Sequence, residues 1–163
     1  MIDSNYYVGL FTQKYFPQYL GIDYKIIGKE HLIENEPVVY ICNHQSSLDV
    51  ISMSAVFPKN TVTMVKKELL SIPIFGWYMK RSKTAFIDRK NRVSAIETME
   101  TVYKQLKKDN VGIWLYPEGT RSHQTMNELL PFKKGAFHLA ISGSIPIIPV
   151  VISTYGNTEL PSS

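Results

Sequence analysis

Apolar residues fall along this chain in two different rhythms. Four short runs are continuous, apolar and often β-branched: residues 38–42 (VVYIC), 61–65 (TVTMV), 111–116 (VGIWLY) and 147–152 (IIPVVI). Short apolar runs of this kind predict buried strands. Residues 84–87 (TAFI) give a weaker fifth, and residues 23–27 (DYKII) read as an edge strand. The other rhythm is helical. Over residues 92–108, Val93, Ile96, Met99, Tyr103 and Leu106 make one apolar stripe opposite a charged, solvated face. Within residues 1–21, Tyr7, Leu10, Phe11, Lys14 and Tyr15 recur at near-helical spacing. Strands alternating with helices predict one α/β domain with a largely parallel central sheet flanked by helices. No repeat, low-complexity tract or linker interrupts it.

The polar positions add a second regularity. Asn43-His44 follows the run 38–42, Asp88-Arg89 follows 84–87, and Pro117-Glu118-Gly119-Thr120-Arg121 follows 111–116. In a parallel sheet the carboxyl ends of the strands lie on one edge, where such folds place their ligand crevice. Clusters far apart in sequence are therefore expected to converge there.

Composition narrows the partners. The chain has 163 residues, is 44% hydrophobic and 20% charged, and carries a formal charge of +4. It is a globular composition, and the mild excess of cations favours anionic partners such as phosphorylated substrates or acidic lipid surfaces. The basic residues form no aromatic-interleaved patch, so nucleic acid is the least favoured of these. Cys42 is the only cysteine, which rules out an internal disulfide. Asp3 stands where a signal peptide has its basic region, and no run of 18 apolar residues predicts a spanning helix. The four histidines, His31, His44, His123 and His138, show no metal-ligand spacing, and no glycine-rich nucleotide loop is present.

The sharpest chemistry lies in Asn43-His44-Gln45-Ser46-Ser47-Leu48-Asp49. His44 and Asp49 are five residues apart, which is about 140° around a helix, so they cannot share a face of one regular helix. They can meet if His44 sits in a strand-to-helix loop and Asp49 in the helix's first turn. The carboxylate would then fix the imidazole tautomer and balance its positive charge, leaving the other ring nitrogen as a general base. Ser46-Ser47-Leu48-Asp49 also matches a capping box, so the spacing alone leaves both readings open. Cys42 sits two residues before His44 and points to the same side of a strand; a cysteine–histidine nucleophile and an inert buried cysteine are both open.

These residues resemble a known family. Asn43-His44-Gln45-Ser46-Ser47-Leu48-Asp49 looks like the NHxSxxD block of the glycerolipid acyltransferases, the 1-acylglycerol-3-phosphate acyltransferases and their relatives. Phe86-Ile87-Asp88-Arg89 resembles the core of their second block, though Arg81-Ser82-Lys83-Thr84 replaces the usual glycine before it. Tyr116-Pro117-Glu118-Gly119-Thr120-Arg121 resembles the third block, FPEGTR, with Tyr for Phe, and residues 145–150 (IPIIPV) the fourth. The order is the family's, over roughly residues 36–153. One HxxxxD is a weak signal, but the four blocks together are very specific. Residues 131–137 (PFKKGAF) look like the eukaryotic lysophosphatidate branch.

The resemblance implies a glycerolipid acyltransferase-like fold with its active site at the strand carboxyl ends. It implies transfer of a fatty acyl group from acyl-CoA, a co-substrate rather than a cofactor, to the sn-2 hydroxyl of lysophosphatidate. His44 would be the base and Asp49 its orienter. Arg121 is the first choice for gripping the phosphate and Arg89 the second cation. Gly119 would allow close backbone approach, Thr120 would donate a hydrogen bond, and Glu118 would hold Arg121 or bind glycerol hydroxyls. No metal is implied. Other acceptors, glycerol 3-phosphate or another lysophospholipid, fit the same motifs, as does an inactive lipid-binding module. A hydrolase lacks support because no GxSxG elbow is present.

Two stretches bear on membranes. Residues 1–21 read either as an amphipathic membrane-surface helix or as a helix packed on the core, with the acyltransferase domain filling residues 22–163. Residues 66–81 (KKELLSIPIFGWYMKR) have an apolar middle, a Trp-Tyr pair and cations at both ends, and read as an interfacial surface, an acyl-chain wall or ordinary core. The expectation is a protein on the endoplasmic reticulum membrane, its site open to acyl-CoA. Members of this family commonly have hydrophobic N-terminal helices and a region beyond the fourth block, so the domain is expected to be short at its C-terminus.

Overall fold

The computed structural model describes residues 4–82, 84–87, 92–122 and 128–154. Five strands, β1 (Val39–Cys42), β2 (Thr61–Lys66), β3 (Ala85–Ile87), β4 (Gly112–Leu115) and β5 (Ile147–Val150), make one sheet in the order β3-β2-β4-β1-β5. Every described pairing is parallel, with Tyr40 level with Trp114 on one side and Ile148 on the other. β2 runs just past its apolar run, to Lys66, and the other strands are each slightly shorter than theirs. Among the described residues the α-helices are α1 (Ser4–Leu20), α2 (Asp49–Ser54), α3 (Pro73–Arg81), α4 (Arg92–Asp109) and α5 (Gly135–Gly143).

Alternation along the strands builds a core on each face. Val39, Val62, Ile113 and Leu115 turn to one side, where Leu106 of α4 and Ala136, Leu139 and Ala140 of α5 cover them. Val38, Tyr40, Cys42 and Trp114 turn to the other, against Phe57 and Met53. Burying one large aliphatic or aromatic side chain gives about 1.5–3 kcal/mol, against about 1 kcal/mol net for a ladder hydrogen bond. With strands this short, packing on both faces stabilises the sheet more than its ladder does. Tyr40 is wholly buried, and its hydroxyl is satisfied by donating to the Ile33 carbonyl.

The edge strand expected over residues 23–27 does not form. That segment has no regular structure, and Ile27 is 83% exposed. Gly21 and Gly28 bracket it with φ of 65° and 76°, conformations that glycine adopts without strain. Beyond it Leu32 and Ile33 pack on the Tyr40 face, and the segment joins none of the five strands.

α1 packs against α2, with Gly9 turned towards Ser54 and Phe57. Its aromatic stripe faces outward: Tyr7 is 65% and Phe11 60% exposed. Residues 66–81 become the end of β2, a 3-10 turn (Lys67–Ser71) and α3. They are not ordinary core, since Ile74 and Trp77 are 84% and 62% exposed. The buried Gly76 of α3 lies so close to the Leu70 carbonyl that a Cβ there would sit 2.4 Å from its oxygen. The Tyr78 hydroxyl donates to Asn5 Oδ1 at 3.0 Å, tying α3 to α1. Among the described residues no helix is long and apolar enough to cross a membrane.

Candidate active site

Because β4, β1 and β5 are adjacent, the loops leaving their carboxyl ends touch. The residues after β1 act as a clasp. Asn43 Oδ1 accepts the Ile152 N–H at 2.8 Å and its Nδ2 donates to the Ile152 carbonyl at 2.9 Å. Gln45 Nε2 donates to the same carbonyl at 2.8 Å. An amide side chain offers both a donor and an acceptor, so Asn43 continues the ladder where β5 has ended. His44 is fixed through its backbone: its N–H donates to Glu118 Oε1 at 2.6 Å and its carbonyl accepts the Ser122 N–H at 2.9 Å.

The side chains of His44 and Asp49 meet at this junction. His44 Nδ1 lies 2.6 Å from Asp49 Oδ2. Since an ionised carboxylate only accepts, Nδ1 carries the proton and Nε2 is the basic nitrogen. Asp49 is wholly buried, while the His44 side chain keeps 20% of its surface. The same Oδ2 accepts the N–H groups of Gln45 (2.7 Å) and Ser46 (3.0 Å). The Ser46 bond is one half of a capping box. Ser46 Oγ in turn accepts the Leu48 N–H at 3.2 Å. Helix start and His–Asp pair thus share one carboxylate. The imidazole also lies on the Tyr116 ring, centroids 4.1 Å apart and planes 21° apart, which restricts its rotation.

The cations are arranged less simply. Arg121 Nη1 donates to Ser47 Oγ, which places the guanidinium beside the turn that carries Asp49. Glu118 does not pair with Arg121: it is buried, and its two oxygens accept from His44 and from Leu130 (2.9 Å). Gly119 has φ 71°, and Thr120 is exposed between it and Arg121. Asp88 and Arg89 lie outside the described residues. A pocket of about 240 Å³ borders the clasp, lined by Asn43, Gln45, Glu118, Ser122 and the exit of β5.

Cys42 is buried in the Trp114 core. Burial first, then the negative charges of Asp49 and Glu118, push its thiol up to about 12. It stays a neutral thiol at physiological pH, which argues against an acyl-enzyme on sulfur. Among the described residues no group of histidine, cysteine and carboxylate side chains could hold a metal ion.

Four contributors were not assigned roles from sequence. Asn43 and Gln45 sit within the first block, but their partner Ile152 is over a hundred residues away. Tyr116 carried a signal, an aromatic at the end of the run that precedes Glu118, yet only the fold reveals the ring it meets. Lys133 lies across Gly119.

A parallel α/β sheet holds a His–Asp pair and an arginine at its carboxyl edge, the layout of an enzyme site with a candidate general base near a cation. A family model described as Acyltransferase matches residues 23–153, and the chain belongs to that family. It is 46% identical over 142 residues to the 1-acyl-sn-glycerol-3-phosphate acyltransferase of Saccharomyces cerevisiae, covering 87% of this chain and 46% of that protein. The human 1-acyl-sn-glycerol-3-phosphate acyltransferase alpha is 42% identical over 135 residues, with 83% and 47% covered. The Haemophilus influenzae 1-acyl-sn-glycerol-3-phosphate acyltransferase is 44% identical over 119 residues, with 73% and 49% covered. The crystal structure of the 1-acyl-sn-glycerophosphate acyltransferase from Thermotoga maritima superposes with a TM-score of 0.65 at 26% identity, covering 89% of this chain and 57% of that one. The chain thus spans about half the length of the curated relatives it matches.

Proposed function

We propose that this chain carries the acyl-transfer centre of a lysophosphatidate acyltransferase. The donor is acyl-CoA, the acceptor is the sn-2 hydroxyl of lysophosphatidate, and the product is phosphatidate. The observation that carries this reading is the 2.6 Å His44–Asp49 contact beside Arg121, in a chain whose curated relatives bear that activity in their names.

In this reading His44 Nε2 takes the proton of the acceptor hydroxyl as its oxygen attacks the thioester carbonyl. The tetrahedral intermediate collapses, the carbon–sulfur bond breaks, and the coenzyme A thiolate leaves with the proton that His44 returns. Asp49 holds the ring in one tautomer and balances the charge it gains. Arg121 grips the phosphate and so sets the hydroxyl against Nε2. The test is acyl transfer from oleoyl-CoA by purified chain in mixed micelles, with lysophosphatidate, glycerol 3-phosphate and lysophosphatidylcholine offered in parallel. Phosphatidate is the expected product. Transfer to another acceptor alone would overturn the substrate, and thioester hydrolysis without transfer would overturn the reaction.

Both substrates are amphiphiles, and the exposed aromatics of α1 with Ile74 and Trp77 of α3 fit the interfacial zone of a bilayer. We place the enzyme on a membrane surface, the endoplasmic reticulum being the one that this family resemblance suggests. Substituting Phe11→Glu together with Trp77→Glu should lower the fraction that floats with anionic lipid vesicles by about tenfold, since two large apolar anchors are lost. Undiminished flotation would remove these helices from the membrane contact.

A further inference from the structure

The acceptor's charge sets a requirement that Arg121 does not meet alone. A phosphate monoester carries about −1.5 to −2 charges at neutral pH, and one guanidinium supplies a single positive charge. The described structure lays a further cation, Lys133, across this loop. The Glu118 carboxylate accepts the Leu130 N–H at 2.9 Å, and the Pro117 carbonyl accepts the Lys133 N–H at 2.8 Å. These two bonds lay residues 130–133 alongside the turn 117–119. The Lys133 side chain then crosses Gly119 so closely that a Cβ on the glycine would lie 2.8 Å from both Cε and Nζ. Its φ of 71° is a backbone conformation that favours glycine, and the bare Cα lets the lysine chain lie directly over the turn.

Neither Lys133 nor Arg121 forms an ion pair with a described carboxylate, while the oxygens of Glu118 are taken by backbone N–H groups. Two exposed cations on one loop, one laid over Gly119 and the other at Arg121, with no ion pair to a described carboxylate, suit a doubly charged anion. We propose that Lys133 is the second phosphate-binding cation, and that it selects acceptors bearing a phosphate monoester over neutral glycerides. The inference rests on the acceptor reading given above.

Binding and turnover separate the two. In a His44→Ala background, binding of lysophosphatidate and of monoacylglycerol with the same chain is measured in mixed micelles, for Lys133→Met, Lys133→Arg and Lys134→Met. Lys133→Met should weaken lysophosphatidate binding roughly tenfold, the scale of one charge-assisted contact, and leave monoacylglycerol binding unaltered. Lys133→Arg should retain most of the affinity, and Lys134→Met all of it. With His44 present, the KM for lysophosphatidate should rise by the same factor while kcat and the KM for acyl-CoA hold. Unchanged lysophosphatidate binding, an equal loss for both ligands, or a rise confined to the acyl-CoA KM would each overturn the role of Lys133. Absence of turnover in wild type would sink the acyl-transfer reading, and the binding series would still decide the lysine.

Discussion

Replacing His44 by alanine should lower kcat for acyl transfer by about 10²–10⁴-fold, the usual contribution of a positioned general base. The fold should survive, because His44 is anchored through its main chain to Glu118 and Ser122, and those bonds do not need the ring. Asp49 calls for a different substitution. Its Oδ2 accepts three N–H groups from a wholly buried position. Asp49→Ala would leave backbone donors unpaired and confuse a folding defect with a catalytic one. Asp49→Asn can place its carbonyl oxygen where Oδ2 sits, keeping those bonds while removing the charge. Its kcat should fall by about 10²-fold or more, because the carboxylate no longer balances the charge that the ring gains. Measuring kcat beside melting temperature checks both. Wild-type kcat in either variant, with the proteins folded, would remove the pair from the mechanism.

The sheet was legible because its strands are short, apolar and punctuated, so that 38–42 and 111–116 declared themselves and the polar residues after them marked the strand ends. The same rule misread residues 23–27, because an alternating apolar run says nothing about whether a neighbouring strand is available. Gly21 and Gly28 bracket that segment with positive φ, and it pairs with none of the described strands. Within the site, the five-residue spacing of His44 and Asp49 was readable, since it concerns one turn of chain. What joins distant segments was not. The Asn43–Ile152 clasp spans 109 residues and the Glu118–His44 bond 74, and a side-chain-to-backbone bond leaves no complementary residue in the sequence to find. Glu118 shows this most clearly: sequence offered Arg121 or a glycerol hydroxyl as its partners, and its bonds in the fold go to two N–H groups.

That arrangement makes Glu118 a brace with a measurable signature. A carboxylate presents two acceptors, one to His44 and one to Leu130. Glu118→Gln keeps the shape but turns one acceptor into a donor, so an N–H group must face an NH2 group in a buried place. The expected cost is about 1–3 kcal/mol, a fall in melting temperature of several degrees for a domain of this size. The same change frees the His44 main chain on one side. A displacement near 1 Å at a reacting group costs about 10²-fold in rate, so kcat should fall with stability while the KM for lysophosphatidate moves little. A residue that only bound glycerol hydroxyls would behave in the opposite way, raising KM and leaving the melting temperature alone. The pair of readouts therefore decides between a strut and a substrate ligand. A brace also explains why the chain places an acid directly before Gly119: one carboxylate fixes the base through His44 and, through Leu130, the segment that carries Lys133.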